Sequence, residues 1–306
     1  MNAARPSTAA VWLSAIRPKT LGASLCPVLI GGALAYHDGV LKNTLQWKLV
    51  CAAFVGACLL QIASNFANDL FDGVRGTDSG ERLGPTRAVG GNLVTPRAMS
   101  VALCITLVFA VFPAWFLASH SGVVFAIIGV CGAIAAVAYT APPFMLAYRG
   151  LGDIFVFAFF GPIAVAGTRA ACDGAWTTSA LVCGLASGAI AVCLLATNNL
   201  RDRVGDLRNG KRTLAVRFGA RFGRAQIYIC HAIAFVVPIF AVVVLQLPPA
   251  VMLASFIAIV FAPASITIAR GRDGASLNKN IAMFGALLYI YGVAFALGMW
   301  MGGGAK

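Results

Sequence analysis

Two stretches of an otherwise apolar chain carry side chains able to do ionic chemistry. Residues 64–87 read SNFANDLFDGVRGTDSGERLGPTR, and residues 198–217 read NNLRDRVGDLRNGKRTLAVR. A helix advances about 100° per residue. On such a helix Asn65, Asn68, Asp69 and Asp72 share one polar stripe, and Asn198, Asp202 and Asp206 follow one another at i, i+4 steps. Carboxylates stacked this closely repel one another unless a cation or abundant water lies between them. Hard oxygen donors of this kind suit Mg²⁺, which keeps several waters and bridges to substrate phosphates. Each stripe runs into a basic loop: Arg75, Arg82 and Arg87 follow the first, Lys211 and Arg212 the second. Arginine forks match phosphate oxygens. The pattern points to a diphosphate clamped between two acidic helix ends through Mg²⁺, with the cations contacting the same phosphates.

A simpler account is that these acids pair with neighbouring arginines at a membrane interface. That account suits a single Asp near a helix end. It explains less well two separated stripes with the same order of residues, since ionisable groups in or near spanning segments are costly and usually functional. Asn68 and Asp72 parallel Asn198 and Asp202, but the position matching Asp206 is Gly76, and the next acid is Asp78.

The elements that must hold these groups are membrane helices. Of 306 residues, 60% are hydrophobic and only 11% charged, against about 25% charged in soluble domains; the mean hydropathy is +0.86. Nine segments have the length and apolar character of a spanning helix: 20–36, 48–69, 98–118, 122–140, 151–169, 177–200, 226–246, 249–269 and 280–301. The first is short and interrupted by Pro27. Residues 1–19 read as an interfacial segment, with Trp12, Leu13 and Ile16 on one helical face, and residues 302–306 as a tail. The expectation is an all-α integral membrane protein, one transmembrane domain over 1–306.

The net charge of +13 belongs to topology, not to nucleic acid: no basic tract is interleaved with aromatic residues. With the N-terminus in the cytoplasm, nineteen basic residues fall on the cytoplasmic side, against Lys42, Lys48, Arg169 and Lys306 outside. Eight of the ten acids share that cytoplasmic side, which the positive-inside rule does not require. The nine cysteines form no CxxC and read as small apolar residues, and His37, His120 and His231 have no ligand spacing.

The two motifs resemble those of the UbiA family of membrane prenyltransferases, and the resemblance covers nearly the whole chain. It rests on residues 17–21 (RPKTL), 68–72 (NDLFD) with Gly76-Thr77-Asp78, 82–87 (RLGPTR), 148–153 (YRGLGD), 198–202 (NNLRD) with Asp206, and 210–217 (GKRTLAVR). Within that family the pattern is most similar to the menaquinone branch. The resemblance implies nine transmembrane helices around a central cavity in the cytoplasmic (inner) membrane, Mg²⁺ as cofactor, and transfer of a polyprenyl group from polyprenyl diphosphate to an aromatic acceptor. In that branch the acceptor is a dihydroxynaphthoate that loses CO₂. It implies a metal set of Asn68, Asp69, Asp72, Asp78, Asn198, Asp202 and Asp206, with Asn68, Asp72, Asn198, Asp202 and Asp206 central to catalysis, and diphosphate contacts from Arg82, Arg87, Lys211 and Arg212.

Arg17 and Lys19 could bind the acceptor's carboxylate, or they could simply set topology. Tyr139 and Tyr148 are candidates to face an allylic cation, or members of an interfacial aromatic belt. Asp153 either caps a helix start or takes part in the site. Other acceptors in the family, such as 4-hydroxybenzoate or homogentisate, are the nearest alternative. A cation-coupled transporter is the alternative of another class, although transporter sites usually lie near the bilayer midplane. A CDP-alcohol transferase is excluded by spacing: Arg75 comes one residue early after Asp72-Gly73, and the downstream acids of that motif are absent.

Overall fold

The computed structural model describes residues 6–77 and 83–303, and the described residues are helical with no strand. Eight helical stretches among them are long and apolar enough to cross a membrane: Thr8–His37, Thr44–Arg75, Pro96–Ser121, Gly152–Ala170, Thr178–Arg201, Leu214–Val243, Pro249–Ala269 and Gly274–Met301. A shorter apolar helix, Val123–Ala138, is the ninth. This agrees with the nine segments expected from hydropathy. All nine cysteines are free.

The differences in boundaries have local causes. α1 (Thr8–Ile16) and α2 (Pro18–His37) are separated by Arg17 in a left-handed conformation, φ 56°. Pro18 opens α2 at the position where a missing N–H costs nothing. Pro27 lies inside α2 without ending it. α1 packs on the bundle through Trp12, whose ring meets Phe66 edge-on at 5.9 Å, while Leu13 stays exposed.

α3 (Thr44–Arg75) is opened by a capping box between Asn43 and Gln46. Its 32 residues extend about 48 Å at 1.5 Å each, well beyond a hydrocarbon core of about 30 Å. Asn65 to Asp72 lie in the last turns of this long helix. Gly76 stops the helix in a left-handed conformation, φ 75°. The helical i+4 stripe ends there.

α4 (Pro96–Ser121) and α5 (Val123–Ala138) form a tight antiparallel pair around Gly122. The segment expected as one helix over 151–169 is two, α6 (Gly152–Phe159) and α7 (Pro162–Ala170). Gly161 and Pro162 make the break. Helix α8 (Thr178–Arg201) approaches so closely there that a Cβ on Gly161 would lie 2.8 Å from the Gly184 carbonyl oxygen. The carbonyl of Phe160, freed by the break, accepts from the Ser187 hydroxyl at 2.7 Å.

α8 is the buried centre of the bundle, rich in Ala, Gly, Cys and Ser, which let neighbouring helices come close. A one-residue hinge at Asp202 leads into α9 (Arg203–Arg208). α10 (Leu214–Val243) starts twelve residues before the apolar segment at 226, because Arg217, Arg221 and Arg224 hide its first turns from hydropathy. It bends at Gly219, φ 84°. α11 (Met252–Ala269) and α12 (Asn278–Met301) complete the chain. At the end of the bundle opposite the acidic motifs, buried Arg169 pairs with Asp38 and Asp173, at 2.7 and 2.5 Å.

Candidate active site

A cavity of about 1340 Å³ opens inside the bundle. Its walls come from the end of α1, from α2 to α8, from residues 83–88 and from the start of α12. One end is polar and holds Arg17, Lys19, Asn68, Asp69, Asp72, Arg87, Asn198, Asp202 and Lys211. The rest is apolar and reaches Leu117, Phe125 and Thr168 at the far end. The helix ends carrying the two motifs thus meet at the mouth of one apolar chamber.

The residues of the first motif have distinct partners. Asn65 is buried and donates to the Ile16 carbonyl at 2.9 Å, tying α3 to the bend at Arg17. Asn68 accepts from the Thr140 hydroxyl at 3.1 Å. Asp69 is buried, and its two oxygens accept from the backbone N–H groups of Ala88 at 3.0 Å and Val89 at 2.8 Å. Asp72 accepts from the Tyr148 hydroxyl at 2.8 Å and lies 3.7 Å from Arg87 Nη2. Asp78 and Arg82 lie outside the described residues.

In the second motif Asn198 uses its amide N–H on the Leu194 carbonyl, at 3.1 Å, which leaves its oxygen side toward the cavity it lines. Asp202 receives a forked contact from Arg201: Nε to Oδ1 at 2.8 Å and Nη2 to Oδ2 at 2.6 Å. Asp206 is buried, with Lys211 Nζ 3.7 Å from Oδ1 and no hydrogen-bond partner for Oδ2. Burial pushes the Asp206 carboxyl up to about 6; Lys211 pulls it down, and Asp202 and Asp72 push it further up.

Several candidates stand behind the cavity wall. Among the described residues the wall includes Tyr139 but not Tyr148, Asp153, Asp206 or Arg212. Tyr148 is buried under two cations, Arg75 at 4.6 Å and Lys211 at 5.8 Å from its ring centre. Its hydroxyl meets that of Thr77 at 3.1 Å as well as Asp72. Burial and the Asp72 charge raise it to about 12. Asp153 accepts from Gln226 Nε2 at 2.8 Å, joining α6 to α10. Arg212 donates its backbone N–H to the Tyr148 carbonyl at 3.0 Å, and its side chain is exposed.

The oxygen donors present fit Mg²⁺ in one form only. Among the described residues no three Asp, Glu, His or Cys side chains converge closely enough to hold an ion by themselves. Asp206 Oδ2 is nevertheless a buried acceptor with no hydrogen-bond partner. Carboxylates and amide oxygens spaced around a polar mouth suit ions completed by water and substrate phosphate, and not an all-protein cage.

Sequence reasoning misses Thr140, Thr77, Arg201 and Asn278. Arg201 reads in the sequence as a topological charge, although its place next to Asp202 is a usable signal. Asn278 is remote from both motifs, and no pattern marks it.

The family model described as the UbiA prenyltransferase family matches residues 24–288. The 1,4-dihydroxy-2-naphthoate octaprenyltransferase of Mycobacterium tuberculosis is 39% identical over 213 residues, covering 69% of this chain and 70% of the relative. The protein of the same name from Mycobacterium leprae is 33% identical over 297 residues, 96% of this chain and 97% of the relative. The solved UbiA homolog of Archaeoglobus fulgidus bound to GPP and Mg²⁺ superposes with a TM-score of 0.63 at 14% identity, over 94% of this chain and 99% of that one. The UbiA homolog of Aeropyrum pernix gives 0.64 at 17% identity, over 92% and 98%. At those identities the structural likeness speaks for the fold, while the sequence matches carry the family: this chain belongs to the UbiA prenyltransferase family.

Proposed function

We propose that this protein transfers a polyprenyl group from polyprenyl diphosphate to a dihydroxynaphthoate-like acceptor in a Mg²⁺-dependent reaction that releases CO₂. The observation that carries the proposal is one polar mouth, built from two Asn/Asp helix ends, set on one large apolar chamber. The diphosphate suits the mouth and the isoprenoid chain suits the chamber. The names borne by the relatives from M. tuberculosis and M. leprae support the acceptor class. The Archaeoglobus homolog bound to GPP and Mg²⁺ supports the donor class and the metal.

Asn68, Asp72, Asn198, Asp202 and Asp206 would hold Mg²⁺, together with Asp78. The bound metal supplies positive charge to the oxygens of the leaving diphosphate. Arg87 and Lys211 on the cavity wall, with Arg82, bind the same oxygens and stabilise them as the allylic C–O bond breaks and its electron pair leaves with diphosphate; Arg212, whose side chain is exposed, adds positive charge beside the mouth. Tyr139 turns its ring to the allylic cation from the cavity wall. Tyr148 works one layer back, orienting Asp72, and Asp69 holds the Arg87 loop through its two amide contacts. Arg17 and Lys19 hold the acceptor's carboxylate at the mouth, and Asp153 braces the helix behind Tyr139.

The acceptor's ring carbon attacks the cation and a C–C bond forms. The bond from that carbon to the carboxylate then breaks, CO₂ departs, and the electron pair left behind restores the aromatic ring. No proton has to be taken from the attacked carbon, so the site needs no general base there. The protein sits in the cytoplasmic membrane with its N-terminus and acidic motifs on the cytoplasmic side and its C-terminus outside, in accord with the positive-inside bias.

The test uses purified protein in detergent or nanodiscs with Mg²⁺, polyprenyl diphosphate and equal dihydroxynaphthoate and 4-hydroxybenzoate. The expected product is a prenylated naphthalenediol lighter by CO₂, lost on chelation of the metal. Product from 4-hydroxybenzoate alone would overturn the acceptor, and the absence of any prenyl transfer would overturn the reaction.

A further inference from the structure

We infer that Asn278, at the start of α12, works with Arg201 as a positioning pair that sets where the Arg87 loop stands over the diphosphate site. The inference rests on the prenyl-transfer reading for its meaning, but its geometry is independent of it. α12 holds none of the residues of the two acidic motifs, yet its first residue reaches both. Asn278 Oδ1 accepts from Arg201 Nη1 at 2.7 Å, and Asn278 Nδ2 donates to the Leu83 carbonyl at 2.8 Å. The same guanidinium forks onto Asp202 with its other nitrogens. One buried arginine therefore links a carboxylate of the second motif, through Asn278, to the loop that follows the first.

Gly84 makes the seat possible. A Cβ at that position would lie 2.9 Å from Arg201 Nη2 and 3.1 Å from Cζ, so the loop backbone rests against the guanidinium. Five residues on from Leu83, the loop is fixed again, by the Asp69 carboxylate on the Ala88 and Val89 amides. Arg87 stands between these two anchors, 3.7 Å from Asp72. An arginine held at both ends of a short loop has little freedom left to lose when it binds phosphate, and such preorganisation strengthens binding. Arg201 itself is already committed to Asp202 and Asn278, so it acts through the loop.

The experiment compares wild type with Asn278→Asp, which keeps the acceptor for Arg201, removes the donor to Leu83, and leaves an acid where a helix start favours one. Four readouts are used: amide hydrogen exchange in peptides covering residues 83–89, steady-state kinetics, the melting temperature and calorimetry of pyrophosphate binding. The expected result is exchange faster by about tenfold, the worth of one neutral hydrogen bond. KM for polyprenyl diphosphate rises by about the same factor, with the acceptor KM and the melting temperature unchanged. Binding of inorganic pyrophosphate with Mg²⁺, measured by calorimetry, weakens in parallel. If Asn278→Asp does not fold, Asn278→Ser, which is too short to hold either Leu83 or Arg201, is expected to shift exchange and KM in the same direction. Unchanged exchange and unchanged KM would overturn the inference. So would loss of transfer in Arg201→Lys alongside wild-type behaviour of both Asn278 variants, because Arg201 would then contact phosphate directly. A wild-type protein that transfers nothing would overturn the function while the exchange measurement still decides the pairing.

Discussion

The Tyr148 hydroxyl donates to Asp72 Oδ1 over 2.8 Å, from a ring buried behind the cavity wall. The contact changes what this tyrosine can do. A ring covered by Arg75 and Lys211 cannot also face a carbocation in the chamber. Its contribution is to fix one oxygen of Asp72, leaving the other toward Arg87. Burial and the Asp72 charge push the phenol up to about 12, so it is protonated and a donor at neutral pH.

Tyr148→Phe is therefore expected to raise the Mg²⁺ concentration giving half-maximal transfer by about tenfold, the scale of one hydrogen bond to a charged group. The acceptor KM should stay the same. Tyr139→Phe, which keeps the ring on the cavity wall, should leave the Mg²⁺ dependence untouched. A Mg²⁺ titration of initial rates for both variants checks the contrast.

Asp69 and Asp72 should separate in their effects although they lie one helical turn apart. Asp69→Asn puts an amide N–H against one of two backbone donors, Ala88 or Val89, inside a buried site. An unsatisfied buried group costs about 1–3 kcal/mol, so this variant is expected to lower the melting temperature and loosen the Arg87 loop. Asp72→Asn should leave the melting temperature near wild type and abolish transfer. Thermal unfolding followed by the transfer assay tells the two apart.

The motifs were legible in the sequence because ionic groups are rare in a chain this apolar, and their i, i+4 spacing puts them on one helical face whatever the distant residues do. The nine apolar segments were legible for the same reason. What could not be read was which acid anchors a loop. Asp69 and Asp72 both line the cavity and differ in partners contributed by residues 88 and 89 on one side and 87 and 148 on the other, far along the chain. The break at Gly161-Pro162 was hidden because both halves are apolar and sum to the length of one span. The early start of α10 was hidden because Arg217, Arg221 and Arg224 depress hydropathy without disfavouring helix.

The pH dependence follows from Asp206. Its folded-state value, about 6, lies above the ordinary 3.8. Without metal, its contribution to stability is full below about 4 and is lost as pH rises through 6, where a buried charge forms. A cation reverses that cost, since the ionised carboxylate is the form it binds. Mg²⁺ with pyrophosphate should therefore raise the melting temperature more at pH 8 than at pH 5. The transfer rate should fall as pH drops below about 6, and higher Mg²⁺ should move that fall to lower pH. A set of melting curves at the two pH values, with and without Mg²⁺, checks the sign.

Chain-length selection should depend on the depth of the apolar chamber. Ala57 lies on the same α3 wall as Asn68 and Asp72 and lines the cavity. It is fifteen residues from Asp72, about 22 Å along the helix axis. Its backbone carbonyl already accepts from the Ser24 hydroxyl at 3.1 Å, which holds α2 and α3 together at that level. A larger side chain here must therefore project into the chamber, because the helices cannot spread without breaking that contact. Ala57→Phe is expected to leave transfer from geranyl diphosphate within about twofold of wild type, since a short chain ends above the obstruction. Transfer from long polyprenyl diphosphates should fall by at least about tenfold, because overpacking of a filled site costs about 1–3 kcal/mol. Rates across a series of donor lengths measure this. No loss at any length would mean that the prenyl chain leaves the site before reaching Ala57, and a loss equal at every length would mean that the substitution disturbs the site as a whole.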